Sequence, residues 1–125
     1  MKTCMIVDDS AVIRKLVRKI MESLEFACSD AVNGQVALDA CKTAMPELII
    51  LDWNMPVMDG MEFLKQLRGT PGGDKPVIFF CTSECSMERI TAAMAAGATD
   101  YVMKPFDTEI VVGKLIQNGI IDNPS

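Results

Sequence analysis

Leu48-Ile49-Ile50-Leu51-Asp52-Trp53-Asn54-Met55-Pro56-Val57-Met58-Asp59-Gly60 is the stretch whose reading decides the fold. Leu48–Leu51 is a short aliphatic run with no polar alternation, which reads as a strand buried on both faces. The strand ends on a carboxylate, Asp52. A Pro-containing turn follows. Asp59-Gly60-Met61-Glu62 then offers a capping box, an acceptor side chain with Glu three residues later. The helix it opens is expected to run to about Arg68.

The same strand–turn–helix unit recurs on either side. Upstream, Cys4–Val7 reads as a strand, and Ser10 can cap a helix whose apolar positions are Ile13, Leu16, Val17, Ile20 and Leu24. Phe26–Ala31 is a weaker strand. Asn33-Gly34 marks a turn, and Ala37, Ala40, Cys41 and Ala44 form a small-residue helical face ending before Pro46. Downstream, Gly69-Thr70-Pro71-Gly72-Gly73-Asp74 is a loop and Val77–Cys81 a fourth strand. Met87, Ile90 and Met94 share one face of a helix that Gly97 stops. Tyr101-Val102-Met103 is a short fifth strand, and Asp107 can cap a last helix carrying Val112, Leu115 and Ile116. Five β–α repeats with apolar strands predict a parallel sheet covered by helices on both faces. Residues 1–125 are expected to form a single domain with no output domain after it.

Composition narrows the functional classes. The chain has 125 residues, half of them hydrophobic, with a formal charge of −5 and 10 methionines. An acidic surface argues against nucleic acid and anionic membrane as direct partners. No apolar run approaches a membrane span and none at the N-terminus suits a signal peptide, so a cytoplasmic location without membrane insertion is expected. Histidine is absent, and the five cysteines (4, 28, 41, 81, 85) contain no CxxC pair, which excludes the usual zinc patterns. Cys4, Cys28 and Cys81 sit in apolar runs and read as small buried hydrophobes; Cys85 falls in an expected loop.

In open α/β sheets, ligands bind outside the carboxyl ends of the strands. The first strand ends in Asp8-Asp9, the third in Asp52, the fourth in Thr82-Ser83, and the fifth near Lys104. The second ends in Val32-Asn33-Gly34, with nothing chemical in it. The doubly wound order 2-1-3-4-5 makes the second strand an edge and gathers the other four ends into one crevice. Taken singly, Thr82 would be a solvated hydroxyl and Lys104 a snorkelling surface lysine. Together with three carboxylates they imply a site. One lysine cannot balance three carboxylates, and Mg²⁺ is the natural partner, because it binds through one or two carboxylates and leaves positions for phosphate oxygens.

These residues resemble the receiver domain of two-component response regulators, above all the free-standing chemotaxis type. The resemblance spans the chain through Val7-Asp8-Asp9-Ser10, Leu51–Gly60, Thr82-Ser83-Glu84, Ala96-Gly97-Ala98 and Tyr101–Phe106. It implies the flavodoxin-like receiver fold, with Asp52 as phosphoacceptor. It implies Mg²⁺ on Asp9, Asp52 and the Asn54 carbonyl, with Asp8 acting through water. Thr82 and Lys104 would each take a phosphoryl oxygen, and Asn54 and Glu84 would tune autodephosphorylation. Tyr101 would turn into the space Thr82 leaves when it moves, and the Lys104–Pro105 bond before Phe106 would be cis. The phosphoryl donor would be the phosphohistidine of a sensor histidine kinase or phosphotransfer protein. A protein target would read the change on helix 4, strand 5 and helix 5. Asp100 and Met103 depart from the commonest pattern without touching the expected chemistry.

Three other readings compete. A haloacid-dehalogenase-type phosphatase also uses a strand-end Asp and Mg²⁺, but it needs an acid where Asn54 stands. An inert interaction module would be expected to have lost an acid or Lys104. An FMN protein would need a phosphate-cradling loop where Asp8-Asp9 would repel phosphate.

Overall fold

Five strands, β1 (Thr3–Val7), β2 (Ala27–Ala31), β3 (Leu48–Asp52), β4 (Val77–Thr82) and β5 (Asp100–Met103), alternate with five helices. The helices are α1 (Ala11–Ser23), α2 (Gly34–Thr43), α3 (Gly60–Arg68), α4 (Met87–Ala95) and α5 (Thr108–Gln117). This computed structural model describes residues 2–83, 86–104 and 107–121. The expectations for Glu84, Cys85, the Lys104–Pro105 bond and Phe106 lie outside the described residues.

All four strand pairings are parallel and the order is β2-β1-β3-β4-β5, as the strand-end argument requires. Alternation within each strand divides the core. Met5, Val7, Ile49, Leu51, Ile78 and Phe80 face α2, α3 and α4. Cys4, Ile6, Leu48, Ile50, Phe79 and Cys81 face α1 and α5. Both faces of the central strands are therefore apolar, which is why those strands read as unbroken hydrophobic runs. β2 is one of the two edges, and only Ala31 in it is fully buried.

Capping decides where the helices begin. Ser10, Asp59 and Asp107 accept from the backbone N–H three residues on, at 3.3, 2.9 and 3.0 Å. Each satisfies one of the first-turn donors that a helix leaves unpaired. The Asp59 box is completed on one side only, since the Glu62 carboxylate accepts from Gln66 instead. The turn expected at Asn33-Gly34 is the start of α2. Asn33 accepts from Val36 N at 2.9 Å and caps α2, and Gly34 is its first residue.

Two helical faces differ from expectation. In α2 the buried positions are Gly34, Ala37, Leu38 and Cys41, whereas Ala40 and the C-capping Ala44 are exposed. In α4, Met87 and Met94 are 76% and 42% exposed, and Ala93 is the residue that meets the core. Alanine lets the helix approach the sheet closely, so the methionine face turns to solvent. The apolar pattern alone does not reveal this, because alanine and methionine both count as apolar.

Arg68 at the end of α3 holds the opposite end of the molecule together. Its guanidinium donates to Gly97 O (3.0 and 2.7 Å), Gly73 O (2.9 Å) and Pro76 O (2.9 Å). Gly97 adopts φ +112, and a Cβ there would lie 3.0 Å from the Arg68 side chain, so glycine is required for both reasons. Arg68→Ala should lower unfolding free energy by about 3 kcal/mol, because three loop carbonyls lose a charged donor. Urea denaturation of the variant checks this.

Candidate functional site

The acids sit where β1 and β3 end, and a tight β3–α3 loop leads away from Asp52. Gly60 N donates to Trp53 O at 2.9 Å. A Cβ on Gly60 would come within 2.2 Å of the Asp52 carbonyl oxygen, so only glycine permits the helix to start this close. Between them Met58 N donates to Pro56 O at 2.8 Å, spanning Val57 at φ +69. That is a γ-turn with a β-branched residue at its strained centre. Gly34 N donates to Met58 O at 3.0 Å, which ties the loop to the start of α2.

Asp8, Asp9 and Asp52 each present a carboxylate oxygen within 4.8 Å of the others. Asp8 is buried, Asp52 half-buried and Asp9 exposed. Lys104 Nζ lies 2.9 Å from Asp52 Oδ1 and 3.0 Å from Asp8 Oδ2. The other Asp8 oxygen accepts from Ser10 N at 2.9 Å, and Arg14 donates to the Asp8 carbonyl at 2.7 Å. Arg14 was not singled out in the sequence; its position one turn into α1 was the available signal. Three carboxylates beside one ammonium leave a local charge of about −2, which a divalent cation would neutralise.

Burial pushes the Asp52 carboxyl above the ordinary aspartate range, as do the Asp8 and Asp9 charges, against the hydrogen bond from Lys104. Burial alone would lower Lys104, but its bonds to Asp52 and Asp8 outweigh this and raise it. Lys104 therefore stays cationic throughout the neutral range. The donor set is hard carboxylate oxygen with one open, exposed member, which suits Mg²⁺ rather than a soft metal.

Thr82 ends β4 and is buried, and Lys104 N donates to Thr82 O at 2.8 Å. Thr82 and Tyr101 line one small cavity together with Trp53, Phe80, Arg89 and Ile90. Arg89 stacks on the Trp53 ring at 4.4 Å, and Trp53 meets Phe80 at 4.8 Å between ring centroids. This stack was not foreseen, because it joins residues from different elements with no local spacing to betray it. Asn54, two residues beyond Asp52, is exposed. Asp8, Asp9, Asp52, Asn54, Thr82 and Lys104 thus fall at or just beyond the carboxyl ends of the strands, while Tyr101 stands within β5 opposite Phe80.

Lys114 Nζ lies over the Tyr101 ring, 4.5 Å from its centroid. Lys114 is held by Asp100, which accepts from it at 3.0 Å, from Tyr101 N at 2.8 Å and from Asn118 Nδ2 at 3.0 Å. Asp100, a departure without chemical role in the sequence reading, thus ties β5 to α5. Burial works to raise the Asp100 carboxyl, but the Asn118, Tyr101 and Lys114 bonds bring it below the ordinary range. A lowered folded-state pKa gives stability that is present above the unfolded value and lost as pH falls through the folded one. Asp100→Asn should therefore cost about 1 kcal/mol at neutral pH. Its melting-temperature deficit against wild type should shrink as pH drops below about 4.

An acidic crevice with a lysine at the carboxyl ends of a 2-1-3-4-5 sheet defines a flavodoxin-like α/β protein with a candidate metal site at its switch point. The model of the response regulator receiver domain matches residues 4–116, and the chain belongs to that family, the regulatory receiver domains of two-component systems. It is 38% identical over 122 residues to a protein-glutamate methylesterase/protein-glutamine glutaminase of Treponema pallidum, covering 94% of this chain and 30% of that protein. It is 34% identical over 111 residues to the response regulator MprA of Mycobacterium tuberculosis, covering 89% of this chain and 47% of that protein. The chain thus spans less than half the length of these curated relatives. Among solved structures, the Vibrio cholerae chemotaxis response regulator CheY4 superposes with a TM-score of 0.89 at 34% identity, covering 94% of this chain and 98% of that one. A CheY-like receiver domain from Methanospirillum hungatei gives 0.84 at 25% identity, covering 94% and 92%. Among the described residues, no helix is long and apolar enough to cross a membrane.

Proposed function

We propose that the chain is a phosphorylation-driven switch in which Asp52 accepts a phosphoryl group from the phosphohistidine of a sensor histidine kinase or histidine phosphotransfer protein. The observation that carries this reading is Lys104, placed 2.9 Å from Asp52 and 3.0 Å from Asp8 inside the acidic cluster.

Asp52 is a carboxylate nucleophile and would form an acyl phosphate. Asp8, Asp9 and Asp52, with the Asn54 carbonyl, are the residues that would hold Mg²⁺, Asp8 through water. Bound there, Mg²⁺ would supply positive charge to the phosphoryl oxygens. Lys104 can give up its bond to Asp52 Oδ1 and take a phosphoryl oxygen instead, and the Thr82 hydroxyl can take another. The chain's own contribution is positioning and electrostatic stabilisation. It would catalyse only its own phosphorylation and dephosphorylation, with Asn54 and Glu84 tuning the second.

A phosphoryl group adds roughly −1.5 to −2 charge at neutral pH. Drawing Thr82 toward it would open space in the cavity that Thr82 shares with Tyr101, and Tyr101 would turn inward. The surface of α4, β5 and α5 would change with it and bind a protein target, in the cytoplasm. The exposed Met87 and Met94 on α4 and Ile110 on α5 would offer adaptable apolar contacts. Intact mass after incubation with acetyl phosphate and Mg²⁺ tests the reading. A gain of one phosphoryl group that hydroxylamine removes, and that chelator prevents, is expected. An unchanged mass in the presence of Mg²⁺ would rule the switch out.

A further inference from the structure

Two cysteines that the sequence places 24 positions apart meet in the sheet. In the parallel pairing of β1 and β2, Cys4 stands directly opposite Cys28. Adjacent strands lie about 4.8 Å apart, within the roughly 4.4–6.8 Å between Cα atoms that a disulfide spans. Both side chains are on the α1–α5 face, Cys4 inside that core and Cys28 against it. Both thiols are free.

Their surroundings differ in a useful way. Cys4 is 1% exposed, whereas Cys28 is half-buried on the edge strand. A hydrogen bond between the two thiols raises Cys4 well above the ordinary range and lowers Cys28 below it. Burial and the Glu22 charge work against the lowering of Cys28, while Arg18 assists it. Arg18 reaches this strand from α1, donating to Cys28 O at 2.8 Å. Cys28 is thus the accessible, more nucleophilic sulfur, and Cys4 the protected one behind it.

We propose that Cys28 and Cys4 form a redox-active dithiol in which a hydroperoxide oxidises Cys28 and Cys4 resolves it to an interstrand disulfide. In the first step the Cys28 thiolate attacks a peroxide oxygen. An S–O bond forms, the O–O bond breaks, and hydroxide or alkoxide leaves. The sulfur is oxidised by two electrons and the peroxide reduced by two. In the second step the Cys4 sulfur attacks Cys28. The S–S bond forms, the S–O bond breaks, and water leaves with the Cys4 proton. An external dithiol reverses the link by thiol–disulfide exchange and is itself oxidised.

The remaining described cysteines do not compete. Cys41 lies on the opposite face of the sheet. Cys81 is on β4, separated from β1 by β3, and its burial pushes the thiol up to about 12. The disulfide would fasten the exposed edge strand to β1. The acidic site is at the other end of β1, roughly 13 Å from Cys4 at about 3.3 Å per residue, so phosphoryl chemistry on Asp52 is not required for the thiol reaction and is not expected to change with it.

The test is graded hydrogen peroxide on the full chain, followed by alkylation of free thiols, intact mass and peptide mapping. Expected are loss of two hydrogens, a peptide pair linked through Cys4 and Cys28, reversal by dithiothreitol, and a higher melting temperature in the oxidised form. Cys28→Ser should abolish the link. Cys4→Ser should leave Cys28 as a sulfenic acid that dimedone traps. Over-oxidation of wild-type Cys28 without a disulfide would overturn the proposal, as would a disulfide mapped to Cys85 or to a second chain. The wild-type mapping decides the question even if a variant fails to fold.

Discussion

Asp52→Asn should reduce phosphoryl labelling by acetyl phosphate and Mg²⁺ more than about a hundredfold, since the amide is no nucleophile. The fold should survive, and its stability at neutral pH should be equal or higher. The sign follows from the carboxyl's position. Burial raises the Asp52 pKa in the folded state, so keeping it ionised costs stability once pH has passed through the folded value. A neutral isostere removes that cost, and Lys104 keeps Asp8 as its partner at 3.0 Å. Intact mass and thermal unfolding measured on the same sample check both halves. A variant that labels at the wild-type rate would show that the phosphoacceptor is elsewhere.

Lys104→Ala should act in the opposite sense on stability. It leaves Asp8 and Asp52, whose side chains are 6% and 12% exposed, facing each other without their cation. Removing one partner from a fully buried ion pair costs roughly 3–5 kcal/mol. Because Lys104 is itself 21% exposed, a loss of about 2 kcal/mol is expected without Mg²⁺. The raised Lys104 pKa means this contribution is complete at neutral pH and fades only above the ordinary lysine range. Mg²⁺ should restore much of the loss, so the cation should raise the melting temperature further in the variant than in wild type. Labelling by acetyl phosphate should fall roughly ten- to a hundredfold, the scale of one lost electrostatic donor. Phosphorylation should no longer change target affinity. Wild-type labelling and switching in this variant would remove Lys104 from the chemistry.

The central strands were legible because they are buried on both faces and stand out as short aliphatic runs. The sheet's order was legible because chemistry-bearing residues end four of the five strands, and only the 2-1-3-4-5 arrangement considered for them brings those ends together. Asp8, Asp9, Asp52, Thr82 and Lys104 were legible for the same reason, each at or just beyond the end of a strand. What escaped was set by long side chains crossing between elements. Arg68 reaches two loops, Arg89 lies on Trp53, and Lys114 bridges Asp100 and the Tyr101 ring. No periodicity marks such contacts. The side of α4 that meets the sheet was not legible, because alanines and methionines both read as apolar and size decided which one packed there. Cys4 and Cys28 each looked like an ordinary core residue. Their pairing depends on strand register, which a weak edge strand does not fix in sequence.

The most direct measurement is chemical location of the phosphoryl group. Acetyl phosphate and Mg²⁺ are followed by borohydride, which reduces an acyl phosphate to the alcohol and marks the carboxylate that carried it. Peptide sequencing by mass spectrometry should then find homoserine at position 52. Homoserine at position 8 or 9, or phosphate retained on a hydroxyl such as Thr82, would contradict the assignment.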